Sequence, residues 1–261
     1  TLLDTARKLM TKIIYNRLAP LLKDNNVLTG KNFAGLPGGS CDTPIAILET
    51  LISDARDNSK PIFIFLQDIS KAFDSIDTHM LRLAMNRLKI PSLFTDLVLS
   101  LFTNRSNWVI TANGLSDPYK IQIGIDQGEV ISPLLWVIYI DPLLVALNEC
   151  NPTPYTIEPD LSTSMDNSID STANIANIST LAFMDDTTLI SFSISGLVHM
   201  LNVANEFYSM NNTKINFAKA ELITNRDPSS VTSPLNVDPV PFHFNLISNS
   251  FTITPLAPKA S

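Results

Sequence analysis

Leu181-Ala182-Phe183-Met184-Asp185-Asp186-Thr187-Thr188-Leu189-Ile190 is the stretch on which the reading of this chain turns. Two apolar, β-prone runs flank a pair of adjacent aspartates, a spacing that predicts an antiparallel hairpin with the acids at its turn. Carboxylates are poor core material, because a buried charge is costly unless it is paired. Seen alone, the pair fits either a solvated turn or a site that needs negative charge on a stiff support.

Working outward, Ile62-Phe63-Ile64-Phe65-Leu66 follows Pro61 as a continuous apolar run and leads into Asp68. A short run without alternation reads as a strand buried on both faces. If the hairpin packs beside that strand, three carboxylates converge. Hard oxygen ligands in that arrangement suit Mg²⁺. Two such ions, ~3.5–4 Å apart, activate a 3′-hydroxyl and stabilise departing pyrophosphate in an in-line displacement.

The remaining elements follow from periodicity and punctuation. Residues 1–22 read as an amphipathic helix with Ala6, Leu9, Ile13 and Ile14 as its apolar stripe, and a second helix is expected over 43–57. Asp77 is a good N-cap for a helix carrying Leu81, Ala84, Met85 and Leu88, and Leu93, Leu97, Val98 and Leu101 mark the next. Asn113-Gly114 is a turn signal between strands at 108–112 and 119–123. Ser132-Pro133 predicts an N-cap and a helix start, and Pro142 should kink or end that helix. Leu197, Met200, Leu201, Ala204 and Tyr208 give a late helix, and 215–224 a further strand. Residues 151–177, rich in Pro, Ser, Thr, Asn and Asp, read as a loop or a disordered insert. Strands alternating with helices favour an α/β or α+β domain.

The 261 residues are 45% hydrophobic, enough to bury a real core. No segment approaches the ~18 consecutive apolar residues of a membrane span, so no membrane partner is expected. Cys41 and Cys150 make neither a disulfide framework nor a zinc site, which fits a reducing interior, nuclear or cytoplasmic. The start at Thr1, without Met or a signal pattern, is that expected of a fragment. Net charge is −7, unusual for a nucleic-acid binder, but it is unevenly spread. Residues 1–120 carry 14 Lys/Arg against 11 Asp/Glu, whereas 121–261 carry 4 against 14. The acidic half therefore needs a metal or a basic partner.

Several segments, taken in order, resemble the motifs of reverse transcriptases of the non-LTR (LINE-like) type. Gln67-Asp68-Ile69-Ser70-Lys71-Ala72-Phe73-Asp74 resembles motif A, Gly124-Ile125-Asp126-Gln127-Gly128 with Ser132-Pro133 motif B, and Phe183-Met184-Asp185-Asp186 motif C. Asn216-Phe217-Ala218-Lys219 looks like motif D, and 33–40 like the fingers loop ahead of motif A. The resemblance implies an α+β polymerase palm, a small antiparallel sheet packed on helices, with partial fingers. By position, fingers would cover 1–60, the palm 61–224, and 225–261 would lead towards a thumb.

The implied activity is RNA-directed DNA polymerisation with two Mg²⁺ ions, or Mn²⁺ in their place, on an RNA template, a DNA primer and a dNTP. Asp68, Asp185 and Asp186 match the metal-binding aspartates. Phe73 matches the bulky residue that would clash with a ribose 2′-OH. Gln127 and Gly128 match the turn against the incoming base and template, Lys219 the residue that protonates pyrophosphate, and Lys71 is placed to neutralise phosphate. Three departures stand out. Leu36 and Gly39 replace fingers-loop arginines, leaving triphosphate binding to the backbone N–H groups of Gly38 and Gly39. Met184 stands where a small residue is usual, and Asp126 precedes the Gln-Gly turn. The alternative function is a catalytically inactive palm that binds nucleic acid weakly or not at all. A metal-dependent phosphohydrolase would leave Phe73 and the Gln127-Gly128 turn unexplained.

Overall fold

The computed structural model describes residues 4–158, 175–211, 213–216, 219–226 and, for the backbone, 243–246. Two helices, α1 (Thr5–Asp24) and α2 (Asp42–Asp57), precede the first strand, β1 (Phe63–Gln67). Next come β2 (Ile69–Ser70), the single-turn α3 (Ala72–Ser75), α4 (Thr78–Arg87) and α5 (Ser92–Ser100). Four short strands follow, β3 (Arg105–Asn107), β4 (Ile110–Thr111), β5 (Gly114–Leu115) and β6 (Tyr119–Ile121). The long α6 (Ser132–Cys150) leads to β7 (Tyr155–Ile157), β8 (Ala176–Ile178), β9 (Thr180–Phe183) and β10 (Asp186–Ser191). The last elements are α7 (Ile194–Met210), β11 (Lys214–Ile215), β12 (Glu221–Thr224) and β13 (His243–Leu246).

Five strands form the central sheet in the order β13-β12-β1-β10-β9, antiparallel except for the β12–β13 pair. The central position of β1 explains its unbroken apolar sequence, since a strand covered on both faces has no polar side. Phe63 and Phe65 enter a core shared with α1, α4, α6 and α7. Ile62 and Ile64 enter a second core with Leu51 and Ala55 of α2 and with Tyr155, Leu181 and Ile190. Helix α6 is apolar enough by length and mean hydropathy to cross a membrane, but 61% of that stretch is buried inside the fold. It serves here as the central core helix.

Local signals set several boundaries as expected. Asp77 caps α4 by accepting from the His79 and Met80 N–H groups, and Leu81, Ala84 and Met85 are its buried face. The turn at 113–114 needs correction: β4 and β5 pair across Ala112-Asn113, so Gly114 opens β5, and the strand at 119 pairs with 105–107 and not with the run expected over 108–112.

Other expectations need correction. On α1, Leu9 and Ile13 are 63% and 48% exposed, and the buried residues are Thr11, Ile14, Leu18, Ala19 and Leu22. The buried face is the apolar one formed by Ile14, Leu18, Ala19 and Leu22, and at its start the Thr11 hydroxyl donates to buried Glu129 (2.8 Å). Ser132 does not cap α6. Ile131 holds that position, while the Ser132 hydroxyl donates to the Asp126 carbonyl (2.8 Å), and the helix continues through Pro142. The strand expected over 215–224 is two strands, β11 pairing with β2 and β12 with β1.

The insert at 151–177 is ordered at both ends. β7 pairs with β8, Tyr155 is fully buried, and the Asn151 amide donates to the Ser179 hydroxyl and the Ile190 carbonyl. Composition missed this because one buried aromatic and one buried amide anchor it. Residues 159–174, most of 225–261 and Phe217-Ala218 of the fourth motif lie outside the described residues.

Candidate active site

The hairpin is tighter than its aspartates suggest. Asp186 pairs with Phe183, so the two-residue turn is Met184-Asp185 and Asp186 is the first residue of β10. Met184 is left-handed, with φ 56°, at a turn position where glycine is favoured. Nothing in its residue type announces that conformation.

Pairing of β1 with β10 places Gln67 opposite Thr187, which carries Asp68 to the Asp185-Asp186 end of the hairpin. Asp68 is gripped from the far side of the chain. The Asn216 N–H donates to the Asp68 carbonyl (2.8 Å), its side-chain amide to the carboxylate (3.1 Å), and the Lys219 ammonium lies 3.2 Å from the same oxygen. Asn216 was quoted in the fourth motif without a role. Its signal was its position three residues before Lys219.

A cleft of about 470 Å³ opens here, lined by Asp68, Lys71, Phe73, Gln127, Asp185 and Lys219, with Asp74 and Asn216 beside them. Asp186 lines a neighbouring depression with Asp68 and Lys219, and Gly128 lines neither. Phe73 projects from α3 and packs on Trp136, ring centroids 6.1 Å apart. Lys71 is exposed and left-handed (φ 51°) at the start of α3. The Ile125 and Gly124 N–H groups donate to the Phe73 and Ile76 carbonyls (2.9 and 2.8 Å). That close approach requires glycine: Gly124 has φ 90°, and a β-carbon there would lie 2.8 Å from the Asp74 carbonyl oxygen.

Burial, then the charges of Asp185 and Asp68, push the Asp186 carboxyl above its ordinary value, while Lys219 acts in the opposite direction. The charges of Asp185 and Asp68 therefore reach the Asp186 carboxyl. Among the described residues, no three acidic, imidazole or thiol groups form a ready-made cation cage. Such a cage is not what Mg²⁺ needs, since it is usually held by one or two carboxylates together with substrate phosphates and water.

A family profile described as reverse transcriptase (RNA-dependent DNA polymerase) matches residues 1–244. The chain belongs to the reverse transcriptase family. Among its relatives is the Pol polyprotein of a type-1 R2 retrotransposable element of Popillia japonica, 27% identical over 146 residues, 56% of this chain and 22% of the relative. The Pol polyprotein of the type-2 element R2DM of Drosophila melanogaster is 23% identical over 184 residues, 70% of this chain and 16% of the relative. The chain thus spans about a fifth of the length of these relatives, which come from non-LTR elements. The fold is similar to that of apo telomerase from Candida tropicalis, with a TM-score of 0.57 and 13% identity over 85% of this chain and 41% of that one. Telomerase from Candida albicans gives 0.52 and 12% over 80% and 33%. The small sheet packed on helices is accordingly the palm-like fold of reverse transcriptases.

In this member of the family the acid before the Gln-Gly turn has a structural explanation. Asp126 and Glu129, buried on either side of exposed Gln127 and Gly128, are held by arginines distant in sequence. Arg7 bonds to Asp126 (2.8 Å) and to Glu129, and Arg105 bonds to Asp126 and to the Gly124 carbonyl. Both guanidiniums lie over the Phe102 ring, at 5.6 and 5.5 Å. Burial pulls the Arg105 guanidinium below its ordinary value and the Asp126 charge opposes that pull. Buried Asp141 likewise pairs with Arg87. Three acids of the acidic half thus find their partners in the basic half, a matching the charge count could not reveal.

The fingers-type loop departs further from expectation. The Gly39 N–H donates to the Leu36 carbonyl (3.2 Å) inside a turn, so it is not a free donor for a triphosphate. His79 and His199 lie on α4 and α7.

Proposed function

We propose that this domain transfers a deoxynucleotide from a dNTP to the 3′-hydroxyl of a DNA primer on an RNA template, in the cleft between Asp68 and the Met184-Asp185 turn. One observation carries the reading. Residues from four separate motifs, Asp68 and Phe73, Gln127, Asp185 and Lys219, line a single cleft. The relation to telomerase, whose Candida albicans structure is a complex with a telomeric RNA fragment, supports RNA as a partner.

The donor set suits Mg²⁺, or Mn²⁺ in its place: Asp68 and Asp185 offer hard carboxylate oxygens to one cleft, with Asp186 adjacent. Bound there, the ions would stabilise charge on the attacking and leaving oxygens. The chain's own groups do the rest. The Phe73 ring excludes a ribose 2′-OH, and the exposed Gln127-Gly128 turn supports the incoming base. Lys71 offers a cation to the triphosphate. As the 3′-hydroxyl gives its proton to solvent and its oxygen bonds to the α-phosphorus, the bond from that phosphorus to the α–β bridging oxygen breaks, and Lys219 donates a proton to the departing pyrophosphate. In this assignment residues 1–60 belong to the fingers and 61–224 to the palm.

Primer extension on poly-rA/oligo-dT with Mg²⁺ tests the reading, with Asp185→Asn as control. Template-dependent incorporation lost in the control supports it; phosphate release without incorporation sinks it. One observation favours a second reading, a palm that folds without catalysing. Leu36 and Gly39 replace the fingers arginines, and the Gly39 N–H is already engaged. Manganese binding at Asp185 with no incorporation would select that reading.

A further inference from the structure

The left-handed Met184 is held by a side chain 152 positions away in sequence. The Asn32 amide donates to the Met184 carbonyl (3.0 Å), and its oxygen accepts from the Met184 N–H (3.2 Å). One side chain therefore closes on both backbone groups of the residue that turns the hairpin. The Trp136 indole N–H donates to the same carbonyl (2.9 Å) from α6. Asn32 is itself fixed. The Phe33 N–H donates to the Ala182 carbonyl (2.8 Å), adding residues 32–33 to the free edge of β9, and the Gly30 N–H donates to the Asp141 carboxylate (2.8 Å).

We infer that Asn32 is a positioning residue for the Asp185-Asp186 pair, acting through the Met184 backbone. A non-glycine residue in the left-handed region persists only where its surroundings over-determine it. Here two side chains from distant elements do so, and they fix the direction in which Asp185 leaves the turn. The role of the aspartates themselves rests on the proposed nucleotidyl transfer, but the clamp can be tested without it. Glycine adopts this conformation without the steric cost, so Met184→Gly should make the clamp largely dispensable.

Amide hydrogen exchange across 183–188 is measured for the chain, Asn32→Ala, Met184→Gly and the double variant, with Mn²⁺ binding followed by EPR in each and in Asp185→Asn. Asn32→Ala should speed exchange at these amides and weaken Mn²⁺ binding, each by ~10-fold, as loss of a ligand-orienting partner typically does. Exchange at β1 amides should be unchanged, and the Gly substitution should restore most of both losses. Unchanged exchange at 183–188 in Asn32→Ala, or a loss that Met184→Gly does not repair, overturns the inference. If Asn32→Ala unfolds the chain, Trp136→Phe, which removes one donor to the same carbonyl, must give the same local pattern at smaller amplitude. Manganese binding that survives Asp185→Asn overturns the metal assignment instead, while the exchange data still decide the clamp.

Discussion

Asn216 and Asp68 are joined twice, main chain to main chain at 2.8 Å and side-chain amide to carboxylate at 3.1 Å. The two hydrogen bonds tie the end of β1 to the segment after β11, so the orientation of one carboxylate depends on a residue 148 positions further along. Asn216→Ala should remove one of two side-chain partners of the Asp68 carboxylate and leave Lys219. The expected result is a ~10-fold higher Mg²⁺ concentration for half-maximal primer extension, typical of lost ligand orientation. The folding cost should be only about 1 kcal/mol, for a partly exposed hydrogen bond. Equal Mg²⁺ requirements in variant and parent would show that Asp68 needs no such support.

Phe73 is half-buried between the cleft and Trp136, so its ring has both a packing role and an accessible edge. Phe73→Ala should raise ribonucleotide relative to deoxynucleotide incorporation by at least ~10-fold, the effect of about 1.4 kcal/mol. Competition assays with paired rNTP and dNTP read this directly. Unchanged discrimination would leave Phe73 as core packing alone.

Arg105 is 9% exposed and faces Asp126, itself 6% exposed. Removing Arg105 leaves Asp126 with Arg7 as its remaining cation (2.8 Å) and the Gly124 carbonyl without its guanidinium donor, at a cost of about 1–3 kcal/mol. Arg105→Ala should therefore lower the urea midpoint far more than Arg56→Ala, whose exposed pair with Asp57 contributes within about 1 kcal/mol. Similar midpoints for the two variants would contradict the clamp around the Gln127-Gly128 turn.

The Tyr155 hydroxyl donates to Asp54 at 2.6 Å, anchoring one end of the 151–177 segment to α2. Burial alone would raise the Asp54 carboxyl, but hydrogen bonds from Tyr155, Lys60 and Asn58 outweigh it and leave it below its ordinary value. A depressed acid contributes stability that is present above its unfolded value, ~3.9, and lost as pH falls through the folded one. Tyr155→Phe should cost about 2 kcal/mol at neutral pH, and the difference from the parent should shrink below pH ~4. Urea unfolding across pH 2–7 checks this; a gap that does not change with pH would place the bond's contribution elsewhere.

Much of this architecture was legible in the chain itself, wherever the cause is local. The unbroken run before Asp68 could only be a strand covered twice, Asp77 could cap only the helix beginning beside it, and paired aspartates between apolar runs had to sit at a hairpin end. What tertiary structure alone decided are the couplings between distant segments. Thr11 and Arg7 meet Glu129, Arg105 meets Asp126, Tyr155 meets Asp54, and Asn32 meets Met184. Periodicity reports which face of an element is apolar over a few residues. Which charge or amide finds which partner is settled only when elements pack, because a buried polar group accepts whatever donor the packed fold brings within reach.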